Sequence, residues 1–111
     1  MNANWLVRIR RACRRRPKVV IDFIGKGNHY GEPATIICAT VQWVAMGHPQ
    51  HHTDLMLAPD KTPVGSFCDC EDFHKTHTWA PKAQPLMANN VWGCYHIAAL
   101  ALKLGLIQEV V

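Results

Sequence analysis

The sequence predicts an α+β fold, a small antiparallel β-meander flanked by a basic N-terminal helix and by a second helix near the C-terminus. Three observations support this. Apolar residues recur at helical spacing before position 17 and after position 94. The segments between are short, rich in β-branched residues and separated by Gly- and Pro-containing turns. With 111 residues, of which 49% are hydrophobic and 18% charged, the chain suits one small domain.

The first element is a basic helix over residues 4–16. Its apolar positions form one stripe at helical spacing, with arginines around the remainder: Trp5, Leu6, Ile9, Ala12 and Cys13. Pro17 disfavours helical geometry at the residue before it and so ends the helix. Residues 1–17 are therefore interpreted as a helical arm.

Residues 18–63 are predicted to form β-strands. A short β-branched strand over residues 18–24 is followed by a turn at the glycines of residues 25–31 and by a long strand over residues 34–46. After a break at Pro49 we expect a strand over residues 53–57. A further strand over residues 64–68 begins the last region, residues 64–111, and all three regions are expected to form one compact domain.

The last element is a helix over residues 94–104, ended by Gly105 with Lys103 in its final turn. This helix is apolar nearly all round, which is typical of helices covered on two sides. We therefore predict a protein interface on its second face, the alternative being that the N-terminal helix covers that face within the chain. The predicted interface residues are Ala99, Leu102, Leu106, Val110 and Val111.

Two short motifs carry metal-binding chemistry. Cys68-Asp-Cys70 precedes Cys94-Tyr-His96, and three thiolates with one imidazole are a standard ligand set for structural Zn²⁺. Alternation along a strand puts Cys68 and Cys70 on one side, and the first turn of a helix lets Cys94 and His96 reach the same ion. Five cysteines are an odd number, so a complete disulfide scheme is impossible. One structural zinc ion is predicted, the alternative being ordinary buried thiols.

These motifs resemble the SWIM-type zinc finger, whose pattern is CxC, a variable spacer, then CxH opening a helix. The acidic residues and Phe73 that follow Cys70, and the Ile97 and Leu100 that follow His96, are similar to that family as well. The resemblance covers residues 64–105. It implies a ββα module in which zinc anchors the C-terminal helix, in a family whose members bind proteins or are attached to DNA-handling proteins.

Other metal-binding and reactive residues leave alternatives open. The histidines that could bind a second metal or compete for zinc are His48, His51, His52, His74 and His77. Cys38 lies in an apolar strand and is read as a buried thiol rather than a nucleophile. Gly25-Lys26-Gly27 could cradle an anion, although a hairpin turn is the simpler interpretation.

Charge divides the chain into a basic arm and an acidic body. Residues 1–18 carry +7 and residues 19–111 carry −3. This asymmetry predicts an acidic or nucleic-acid partner for the arm. The basic residues concerned are Arg8, Arg10, Arg11, Arg14, Arg15, Arg16 and Lys18. A membrane-surface role is disfavoured, because the apolar stripe is short and more easily used inside the fold.

The expected function is non-enzymatic. The sequence lacks a nucleophile elbow and a phosphate loop, and four protein ligands leave zinc no open position for water. We expect a zinc-stabilised structural or protein-interaction module, a small subunit of a larger assembly such as a phage or virus particle. The alternative is a nucleic-acid-binding accessory protein. Without a signal peptide or a disulfide framework, the expected location is a reducing intracellular compartment or such a particle.

Overall fold

The fold is α+β, with one four-stranded antiparallel sheet and two helices, in a computed structural model that describes residues 3–71 and 94–108. The strands are ordered β1-β2-β3-β4 across the sheet, so the predicted antiparallel meander is confirmed. A 3₁₀ turn, Val44–Met46, occupies the end of the segment predicted as a long second strand. The elements are α1 (Ala3–Arg15), β1 (Lys18–His29), β2 (Glu32–Gln42), β3 (His51–Leu57), β4 (Pro63–Cys68) and α2 (Tyr95–Lys103).

Helix α1 buries the stripe predicted for it. Trp5, Ile9 and Ala12 are buried at successive turns and belong to the hydrophobic core. The helix ends at Arg15, and Arg16 adopts a left-handed backbone with φ of 44° immediately before Pro17. Proline therefore stops the helix where the sequence predicts it to stop.

The turn predicted over residues 25–31 begins too early, because β1 continues through Gly25 and Gly27 to His29. The hairpin turn lies instead at Tyr30 and Gly31, with φ of 51° and 83°, a pair of positive values typical of a two-residue hairpin. A Cβ atom at Gly25 would collide with the Phe23 ring, and one at Gly27 with the Ile36 side chain. Both glycines therefore make room for neighbouring side chains on the sheet surface.

The sheet has a buried face and an outer face. Side chains on the buried face pack into the core with both helices, including Ile37, Val41, Leu55 and Cys68. On the outer face, the strand register aligns a row that runs from β1 to β4 and consists of Phe23, Cys38, Asp54 and Phe67.

Helix α2 contacts α1 as well as all four strands, which explains why it is apolar nearly all round. Its C-terminus is capped as predicted: Gly105 has φ of 73° and its N–H donates to Leu102, while Leu106 N–H donates to Ala101. Ala99 is buried within the chain, and Leu102 and Leu106 pack partly buried against the core. The prediction that Ala99 lies in an interface is therefore corrected, because the chain itself covers this residue. Val110 and Val111, also predicted there, lie outside the described residues.

Candidate metal centre

Four buried side chains converge between the end of β4 and the start of α2. Cys68 is the last residue of β4, Cys70 follows two positions later, Cys94 precedes the first turn of α2, and His96 lies in that turn. Their ligand atoms all lie within 4.8 Å of one another, and all four residues are buried. The described structure therefore brings together the complete predicted ligand set, which could hold one metal ion.

The spacing of the ligand atoms fits a tetrahedral ion. Nδ1 of His96 lies 3.7 Å from Sγ of Cys68 and 3.6 Å from Sγ of Cys94. A tetrahedral ion with a metal–sulfur distance of about 2.3 Å and a metal–nitrogen distance of about 2.0–2.1 Å separates sulfur from nitrogen by about 3.6 Å. The two separations therefore match two sulfur–nitrogen edges of the expected tetrahedron.

The electrostatics of the cluster call for a cation. The pKa of Cys68 is raised to about 11, mainly by a hydrogen bond with Cys70 and also by burial of the thiol. The pKa of Cys94 is raised as well, mainly by hydrogen bonds with Cys68 and Cys70 and also by burial of the thiol. Three thiolates this close would repel one another unless a positive charge lay between them. Without a metal the thiols of Cys68 and Cys94 keep their protons, and a divalent cation would displace those protons on binding.

Polar groups support the cluster from β3 and from the segment after β4. The hydroxyl of Thr53, which is buried, lies 3.5 Å from Sγ of Cys68. The His51 ring lies 4.4 Å from the His96 ring, and Nδ1 of His51 is 2.8 Å from a carboxylate oxygen of Asp69. Asp69 therefore holds the His51 ring, and the His51 ring packs against the imidazole of His96.

The three central histidines do not form one metal site. His51 faces the Cys₃His cluster, whereas His52, the next residue of β3, faces the outer side of the sheet. His48 is exposed after the 3₁₀ turn, with its ring 4.9 Å from that of Trp43. Strand alternation, already readable from the sequence, would have separated His51 from His52; the pairing of His51 with Asp69 depends on the fold. His74 and His77 lie outside the described residues.

The predicted basic residues do not share one environment. Arg10, Arg14, Arg16 and Lys18 are exposed, and Arg8 and Arg11 are partly buried. Arg15 differs, because its guanidinium carbon lies 3.9 Å from the centre of the Trp43 ring and 4.8 Å from that of Tyr95. The Tyr95 ring in turn lies 4.1 Å from the His96 ring. Arg15 therefore joins α1 to the aromatic rings beside the Cys₃His cluster.

Replacing Arg15 with Ala should lower the free energy of unfolding by about 1–2 kcal/mol, because the change removes a guanidinium held between two aromatic rings. Arg14→Ala, which removes an exposed neighbour of equal charge, is the matched control and should change stability by less than about 0.5 kcal/mol. Urea denaturation of the two variants checks this difference, and equal effects would contradict the intramolecular role.

A basic cleft of about 450 Å³ lies where the C-terminal ends of the two helices meet. Its lining includes Arg16, Lys18 and Lys103, all of them exposed. Two of these residues were predicted to bind an acidic partner. Lys103 was missed because it is far away in sequence, and only the packing of α2 on α1 brings it to the arm.

No protein-family model, curated protein or solved structure matches this chain. Among residues 3–71 and 94–108, no helix is long and apolar enough to cross a membrane.

Proposed function

We propose that this protein is a non-enzymatic, zinc-stabilised interaction module and a small structural subunit of a larger assembly, such as a phage or virus particle. The observation that carries the proposal is the buried Cys₃His cluster, with sulfur–nitrogen separations of 3.6 and 3.7 Å. The metal is zinc because tetrahedral sites rich in thiolate ligands favour it over harder divalent cations.

The zinc acts on structure rather than on a substrate. Cys68, Cys70, Cys94 and His96 supply all four ligands of a tetrahedral ion, and each is no more than 6% exposed. A site of this kind leaves no position for a reacting water molecule. The ion would tie the end of β4 to the first turn of α2, the order of elements expected of a SWIM-like ββα module.

Exposed apolar side chains on the sheet favour a protein partner. Val20 is 42% exposed, Phe23 55% and Phe67 41%, and all three lie on the outer face, which neither helix covers. Large exposed apolar residues on one face are typical of protein contact surfaces. This face replaces α2 as the main apolar contact surface, because α2 is largely enclosed by the chain.

Nucleic-acid binding is the second candidate function. Arg10 and Arg14 are exposed one turn apart on α1, and the cleft lined by Arg16, Lys18 and Lys103 adds three more cations. Guanidinium groups suit phosphate oxygens. Duplex DNA, however, would leave the exposed Phe23 and Phe67 rings on the outer face of the sheet uncovered.

Fractionation of a native extract by size tests the proposed function. The chain should appear in a high-mass fraction that survives nuclease treatment and about 1 M salt, because salt weakens ionic contacts and not apolar ones. Phe23→Ser with Phe67→Ser should release the chain into the low-mass fraction. Tyr30→Ser, which removes an aromatic ring 62% exposed at the hairpin turn, is the matched control.

Two outcomes would contradict this function. A chain that is entirely low-mass in its native extract is not an assembly subunit. Release by nuclease, together with duplex-DNA binding that weakens steeply with salt and is reduced in the Arg10→Ala, Arg14→Ala double variant, would establish the nucleic-acid function instead.

A further inference from the structure

We propose a second metal site on the outer face of the sheet, formed by Cys38, His52 and Asp54 and open to solvent. Potential ligand atoms of these residues lie within 4.8 Å of one another. The site is separate from the Cys₃His cluster, because His52 and Asp54 flank Thr53 on β3 and point to the opposite side of the sheet.

The strand register brings the three residues together. Cys38 on β2 pairs directly with Asp54 on β3, and His52 precedes Asp54 by two residues on the same face. Phe23 and Phe67 occupy the corresponding positions of β1 and β4. The three potential ligands thus lie near the centre of the outer face, with an aromatic side chain on each outer strand.

One carboxylate oxygen of Asp54 is buried beside the His52 ring without an aligned hydrogen bond. Among the described residues, Asp54 Oδ1 is buried from solvent and accepts no hydrogen bond. Nε2 of His52 lies 2.8 Å from this oxygen, close enough for an ion pair but without hydrogen-bond alignment. A buried carboxylate oxygen without a hydrogen bond destabilises the folded state. A cation bound by Asp54 Oδ1 and His52 Nε2 would supply the missing interaction.

The donor set selects the class of metal. Sulfur, imidazole nitrogen and carboxylate oxygen together suit borderline divalent ions such as Zn²⁺ and Co²⁺ rather than Mg²⁺ or Ca²⁺. Three protein ligands leave at least one coordination position, which water would fill because His52 is exposed.

The arrangement does not favour a nucleophilic cysteine. Burial, a hydrogen bond with Asp54 and the negative charges of Asp54 and Asp22 raise the pKa of the Cys38 thiol. A protonated thiol is a poor nucleophile, whereas a bound cation would compensate for these negative charges.

Co²⁺ titration of the full chain already carrying one equivalent of zinc tests the site. The thiolate-rich cluster binds Zn²⁺ more tightly than Co²⁺, so added Co²⁺ does not displace the zinc and binds at the second site instead. We expect one further metal per chain and a thiolate-to-cobalt absorption band in the near ultraviolet. Cys38→Ser should abolish the band, and His52→Ala should weaken cobalt binding by at least about 100-fold, since even residues behind the ligands can change affinity by 10–100-fold.

Matched controls separate this site from adventitious binding. Cys13→Ser and His48→Ala remove a cysteine and a histidine outside both clusters and should leave the second equivalent intact. Retention of the first zinc by every variant, measured by elemental analysis, excludes unfolding as the cause of any loss. The proposal is overturned if the zinc-loaded chain takes up no cobalt, or if Cys38→Ser keeps the band and the stoichiometry.

Discussion

Replacing Cys94 with Ser should release the metal and unfold most of the chain. Cys94 is fully buried and its Sγ lies 3.6 Å from Nδ1 of His96, so the variant leaves three ligands around an enclosed ion. Structural zinc contributes on the order of 10 kcal/mol to small modules, as much as the whole free energy of unfolding of many domains. Elemental analysis should find zinc largely lost, and circular dichroism should lose most of its helical signal.

Cys13→Ser is the control for this experiment. Cys13 lies on α1, outside the Cys₃His cluster, and is only partly buried. The control should keep about one tightly held zinc ion per chain and a cooperative unfolding transition. Full zinc retention by the Cys94 variant, or unfolding equal to that of the control, would refute the assignment of Cys94 as a ligand.

Replacing Trp5 with Ala is expected to have the second-largest effect. Trp5 is 2% exposed and lies in the core together with Ile9 and residues of α2. Truncating a buried Trp costs about 3–5 kcal/mol, because burial of the ring is lost and a cavity remains. Urea denaturation of the zinc-loaded variant should show this decrease in the free energy of unfolding.

Val7→Ala supplies the comparison on the same helix. Val7 is 49% exposed, so the change should alter stability by less than about 0.5 kcal/mol. If the two variants were equally stable, α1 would not be docked through its apolar stripe, and the arm would have to be reconsidered as a free basic segment.

Much of the fold was predictable because local patterns determine it. The stripe containing Trp5 and Ile9 has helical spacing, and both residues are buried. Gly105 adopts the positive φ expected of the residue that follows a helix C-cap. The sequence predicted all four residues of the Cys₃His cluster, because the CxC and CxH spacings keep the residues of each pair close together whatever the tertiary arrangement.

Other features depend on contacts between distant residues. Gly25 and Gly27 resemble turn residues in the sequence, yet they are strand residues because they pair with Ile36 and Ala34 of β2. Cys38 meets Asp54 only through the register between β2 and β3. In the sequence Arg15 cannot be distinguished from its neighbouring arginines, because its contacts with Trp43 and Tyr95 form only in the folded chain. No local pattern specifies these pairings.

X-ray absorption at the zinc edge, on the full chain with one equivalent of Zn²⁺ bound, tests the central claim most directly. Coordination by Cys68, Cys70, Cys94 and His96 predicts three sulfur atoms at about 2.3 Å and one nitrogen at about 2.0–2.1 Å, with no bound water. A shell of nitrogen and oxygen alone, or one with a single sulfur, would contradict a closed Cys₃His site and the structural role derived from it.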